Sequence, residues 1–213
     1  MAILGKNKER TRAMEEFARN SGMAFEAKDS YGVRAYFKDM KLFKIGGAPK
    51  SLNMIQRKEE MFDYSGVFDY HYTVSSGKSS YTYKQTVYFR IHNELMLPAF
   101  YLFPEKWYHR IGKWFGMQDI NFVVYPEFSK NYLLQGPQPD FIWKLFQEEK
   151  LIDHFNKHPG WSVEAVGRFF VMYRPNVLPP VQELKKFMKT GDTLYLLLVE
   201  RNKLMEQSLK DEN

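Results

Sequence analysis

The sequence predicts an α+β fold: a mainly antiparallel sheet built on one long hairpin, with helices packed on one side. The first observation behind this is a strict alternation through residues 61–92. Tyr64, Phe68, Tyr70, Tyr72 and Val74 occupy even positions, while Asp63, Ser65, Asp69, His71 and Thr73 occupy odd ones. Successive strand side chains point to opposite faces, so this segment has an apolar and a polar side. The second observation is that the parity flips after the turn-forming run from Ser75 to Ser80, and Tyr81, Tyr83, Val87, Phe89 and Ile91 become odd. Folding about Gly77 and Lys78 then sets Tyr72 against Tyr83 and Phe68 against Val87. Cross-strand pairs of this kind contribute roughly 0.2–1 kcal/mol each. The third observation is helical periodicity at both ends of the chain, over 6–20 and from about 181 onward.

Taken in order, Lys6 to Asn20 forms a helix with Met14, Phe17 and Ala18 on one face and Gly22 as its stop. Met23–Ala27 is a short strand, Val33–Met40 one or two helical turns, and Leu42–Ile45 a strand ended by Gly46 and Gly47. Ser51–Arg57 leads into the central hairpin, and Met96–Phe103 continues the sheet. Pro98 in that strand argues for a start or an edge, since proline donates nothing to a ladder. A helix opens at Pro104 and runs to Phe115. Ile120–Tyr125 and Lys130–Leu134 read as strands, and Asp140 as the N-cap of a helix through Glu148. A further short helix carries Leu151, Ile152 and Phe155. Ser162–Ala165 and Arg168–Tyr173 form a second hairpin around Gly167. Leu184, Phe187, Met188, Leu194, Leu198 and Met205 mark the terminal helix, which Thr190-Gly191-Asp192 would break or kink. Neither a repeat nor a linker divides the chain, so a single domain over 1–213 is expected.

Composition narrows the chemistry. With no cysteine there are no disulfides, thiolate nucleophiles or cysteine-ligated metal sites. A net charge of +6 suits an anionic partner without requiring one. The longest apolar runs, Leu194–Val199 and Leu95–Phe103, fall far short of the roughly 20 residues that span a bilayer. A cytoplasmic location is expected, with a peripheral position at the inner membrane as its variant.

Leu42-Phe43, Gly46-Gly47, Asn53 and Phe68-Asp69-Tyr70-His71-Tyr72 occur here in order, followed by Gln85-Thr86-Val87. Leu97-Pro98, Pro104-Glu105 and Gln118-Asp119-Ile120-Asn121-Phe122 complete the set. From about Arg12 to Pro175 the chain resembles a family of uncharacterised bacterial proteins. Many members carry transmembrane helices ahead of this region, whereas this sequence is read as opening at the first soluble helix. The resemblance implies a compact cytoplasmic domain often held beside a membrane, and it supplies no catalytic residues.

Several constellations bear on function. Gly46–Ser51 lacks the spacing of a phosphate loop, and Pro49 removes a needed amide. His154 and His158 have zinc-compatible spacing but no supporting ligand, so neither metal nor cofactor is expected. On the polar side of the hairpin, Asp69, His71 and Lys84 form an acid–base trio that a hydrolase-like enzyme would use. Gln85 lies on the apolar side and needs a partner from Tyr70 or backbone. The segment 105–115 offers Lys106, Arg110 and Lys113 on one helical face, with Trp107 and Trp114 on a neighbouring one. That pattern suits an anionic membrane surface. Nucleic acid ranks below it, since no long basic stripe or reader motif is present. The expectation is a non-catalytic module binding a partner protein or a membrane surface, with the Asp69–His71–Lys84 enzyme as its alternative.

Overall fold

Gly77 adopts φ +57° and reverses the chain between β3 (Tyr64–Ser76) and β4 (Ser79–Ile91). The two pair antiparallel in the expected register, with Tyr72 opposite Tyr83, Phe68 opposite Val87 and His71 opposite Lys84. Tyr72 and Tyr83 stack with ring centroids 5.2 Å apart. The computed structural model describes residues 2–30, 32–58, 63–92, 96–107 and 118–211.

Around this hairpin stand β1 (Ala24–Lys28), β2 (Gly47–Lys58), β5 (Leu97–Pro104), β6 (Tyr132–Gln135), β7 (Ser162–Gly167) and β8 (Phe169–Tyr173). They form an eight-stranded sheet in the order β1-β2-β3-β4-β8-β7-β5-β6, and every named pair is antiparallel. The fold is therefore α+β with an antiparallel sheet, as the alternation predicts. Pro98 lies inside a register shift between β5 and β7, where a missing amide donor costs little.

The longer helices share one face of the sheet. They are α1 (Ala2–Asn20), α4 (Pro139–Phe146), α5 (Glu149–Lys157) and α6 (Leu184–Asp211), with the short α3 (Pro126–Asn131) beside them. Met14, Ile142, Phe155, Leu194 and Leu198 pack there against Val67, Tyr88, Val163 and Phe170. The opposite face, which carries Phe68, Tyr70, Tyr72, Val87 and Phe89, is closed by α2 (Val33–Tyr36) and the turn at 41–44 through Val33, Phe37, Met40 and Leu42. Both faces are thus covered over the body of the hairpin, and its polar side lies there under α1 and α6 rather than in solvent.

Five local expectations change in the folded chain, one being the strand read at Lys130–Leu134, whose first two residues close α3 while β6 begins at Tyr132. Residues 41–44 form a 3-10 turn instead of a strand, because Glu164 binds their amides from across the sheet. Ile120–Tyr125 makes no strand; a single bridge joins Asp119 to Gln135, and the Phe122 amide donates to Ser129 Oγ. Val123 and Val124 are accordingly exposed. The helix expected from Asp140 starts at Pro139 without a side-chain cap and ends at Phe146. Finally, α6 passes through Thr190-Gly191-Asp192 without interruption. Gly191 serves packing there, since a Cβ would sit 2.5 Å from the Tyr88 ring. The adjacent Asp192 accepts from Tyr88 OH at 2.6 Å and Arg90 Nη1 at 2.9 Å.

Candidate functional site

Asp69 and His71 share a face of β3, but the structure gives Asp69 other partners. Its carboxylate is buried and accepts from Arg10 Nε at 2.7 Å, Arg10 Nη2 at 2.9 Å, Asn53 Nδ2 at 2.9 Å and Thr86 Oγ1 at 2.7 Å. Arg10 Nη1 also donates to the Pro179 carbonyl, and Thr11 Oγ1 donates to Asn53 Oδ1. Asn53 reaches this network from a bulge in β2, with φ 53°. Asparagine is among the residues that best tolerate that left-handed conformation. Together these contacts fasten α1 to the sheet by a bidentate, charge-assisted pair.

His71 lies beside the network with Nε2 buried and unbonded. Burial holds its pKa below the ordinary histidine value, against the opposing pull of Asp69. The adjoining cavity is only about 50 Å³, little more than one water's share of liquid volume (about 30 Å³). Lys84 is partly exposed, and its backbone amide donates to Asn176 Oδ1. Asp69, His71 and Lys84 are therefore close in the fold, but Asp69 is saturated and the cavity that the described residues form beside it is smaller than a substrate.

Gln85 is fully buried, and its Oε1 accepts from the Asn176 backbone amide at 3.2 Å. Its partner is thus backbone, while Tyr70 OH has no hydrogen-bond partner among the described residues. His154 and His158 have ring centroids 5.1 Å apart, and burial with the neighbouring His158 pulls the His154 pKa down to about 4. Among the described residues no third ligand joins them. In the basic aromatic segment, Lys106 is exposed, but Trp107 is 7% exposed and packs against Phe103 and Tyr173. Arg110, Lys113 and Trp114 lie outside the described residues.

A second buried polar centre escaped the sequence reading. Glu164 of β7 is fully buried and accepts from the Lys41 and Leu42 amides and from Tyr173 OH. Burial pushes its pKa up to about 7, against the lowering effect of those donors and Lys41. Desolvation lowers the Lys41 pKa, while Glu164 and Asp119 oppose the shift. Lys41 Nζ donates to Gln135 Oε1 at 2.8 Å and sits 4.5 Å from the Tyr101 ring centroid. Gln135 Nε2 in turn donates to Asp119 Oδ1. The only hint in the sequence is an acid between Val163 and Ala165, which alternation alone assigns to solvent.

A cleft of about 750 Å³ opens on the face closed by α2. Val33, Tyr36, Tyr64, Phe89, Ile91 and Phe169 line it, with Glu26, Gln56 and Arg168 as polar members. Tyr36 is 55% exposed and stacks on Phe169 at 6.0 Å. Phe37 contacts both Phe89 and Phe169 within an aromatic cluster below. Ligand pockets of roughly 300–1,000 Å³ with apolar walls and a few polar groups are typical of small-molecule sites. In the sequence Tyr64, Phe89 and Ile91 figure only as strand alternation, and nothing there joins them to Val33, Tyr36 or Phe169, which come from separate elements.

No family model matches the chain, and no curated protein matches it. Among solved structures, the mycobacterial trehalose monomycolate transport factor A, TtfA, aligns with a TM-score of 0.60 and 9% identity. The alignment covers 88% of this chain and 93% of that one, so the likeness extends across the sheet and its helices. At that identity the two share a fold. No helix among the described residues is long and apolar enough to cross a membrane.

Proposed function

We propose that this chain is a non-catalytic binding module whose aromatic cleft takes up the acyl chain of a lipid. The cleft of about 750 Å³ carries this reading, because its apolar walls and polar members match an amphiphile. The saturation of Asp69 supports it further, since the carboxylate of the most enzyme-like trio is engaged in anchoring α1. The name of the structural neighbour, a trehalose monomycolate transport factor, agrees with the choice of an acyl probe. This reading narrows the expected partner protein or membrane surface to a lipid tail.

The test is equilibrium titration with a fluorescent long-chain fatty acid. Saturable binding is expected, and Tyr36→Ala should weaken it about tenfold, because part of an aromatic wall is lost. Tyr36 is largely exposed, so the variant should melt with the parent. An absence of saturable binding, or equal affinity of Tyr36→Ala, would overturn the reading.

A further inference from the structure

A separate pocket of about 240 Å³ opens on the helical face, lined among others by His158, Trp161, Arg174, Glu183, Lys186 and Phe187. Three parts of the chain meet there: the link between α5 and β7, the exit of β8, and the first turns of α6. We propose that this pocket binds a phosphomonoester group, held by Arg174 and Lys186 with His158 beside them.

The argument begins with Trp161, which is 8% exposed and stacks on Phe187 at 5.4 Å with an interplanar angle of 19°. The Arg174 guanidinium sits 4.3 Å from the Trp161 ring centroid. A guanidinium stacked on an aromatic ring keeps its in-plane N–H donors available and loses little further entropy when they bind. Arg174, Lys186 and His158 are all exposed. Among the described residues no carboxylate pairs with Arg174 or Lys186, and no side-chain hydrogen bond occupies either cation. Glu183 is the acidic side chain among the lining residues, so the cations outnumber it.

The lining is positively charged on balance, which suits an anion with several acceptor oxygens. Arginine recognises phosphate in a bidentate manner, and lysine adds a point charge. The volume lies below the roughly 300 Å³ at which drug-sized pockets begin, so a phosphoryl group with a short carbon skeleton fits better than a nucleotide. The pocket is lined by different residues from the aromatic cleft, and binding here does not depend on acyl binding there.

The experiment is calorimetric titration of the full chain with glycerol 3-phosphate, in parallel with flotation on phosphatidic acid and phosphatidylcholine vesicles. Variants are Arg174→Gln, Lys186→Gln and the control Lys189→Gln, whose parent residue is exposed on the same helix outside the pocket. Each pocket variant should weaken binding about tenfold, the loss typical of one charge-assisted hydrogen bond, while the control binds as the parent. Saturable binding of glycerol 3-phosphate identifies a free phosphorylated metabolite as the source. Binding to phosphatidic acid vesicles alone, lost in the pocket variants, identifies a lipid headgroup. Failure of both probes to bind, or equal binding by parent and both pocket variants, overturns the proposal. Lys186 is exposed, so its variant remains informative even if Arg174→Gln lowers the melting temperature.

Discussion

Replacing Asp69 with alanine should destabilise the protein severely, and the structure sets the scale. The side chain is 1% exposed and receives four donor contacts of 2.7–2.9 Å from Arg10, Asn53 and Thr86. Its loss strands the Arg10 guanidinium, which is only 17% exposed, together with two polar side chains. Removing one partner of a buried ion pair costs about 3–5 kcal/mol, a large share of a total stability of roughly 5–15 kcal/mol. Arg10→Met should cost a similar amount by leaving the carboxylate uncompensated. The double variant Arg10→Met with Asp69→Ala should cost no more than the larger single loss, because both charges leave together. Urea unfolding followed by far-ultraviolet circular dichroism of all four proteins completes the cycle. Loss of less than about 1 kcal/mol in Asp69→Ala, the range of an exposed pair, would refute the anchoring role. So would additive losses in the double variant.

Two further outcomes concern the buried acid and the long helix. The folded state raises the Glu164 pKa from 4.5 to about 7, so it favours the protonated form. Its contribution is therefore fully present below about pH 4.5 and declines as pH rises through about 7, by at most about 3 kcal/mol. His71 and His154, whose lowered pKa values add stability as pH rises toward 6.5, act the other way, so the stability of the parent relative to Glu164→Gln should fall between pH 5 and 8; a constant difference would assign the pH dependence to other groups. Gly191→Ala ordinarily stabilises a helix interior by about 1 kcal/mol. Here the new methyl would meet the Tyr88 ring at 2.5 Å, so a lower urea midpoint is expected, and a raised one would show that the ring yields.

The sequence by itself determined the backbone plan wherever the signal was local. Period-two alternation on each side of Gly77 set the β3–β4 register, since a slip of one residue would exchange every face. The division of Tyr70, Tyr72, Tyr83 and Val87 from Asp69, His71 and Lys84 was legible for the same reason. The apolar stripes of α1 and α6 likewise announced two helices before any contact was known. Only tertiary structure decided that the polar side of the hairpin would be buried. Alternation separates two faces but does not say what covers each one, and here Arg10 arrives from 59 residues away. The turn at 41–44 looked like a strand because its organiser, Glu164, lies 123 residues from Lys41. The aromatic cleft and the Arg174–Lys186 pocket were invisible on the same grounds. Each joins side chains from separate elements, and only packing of both sheet faces brings them together.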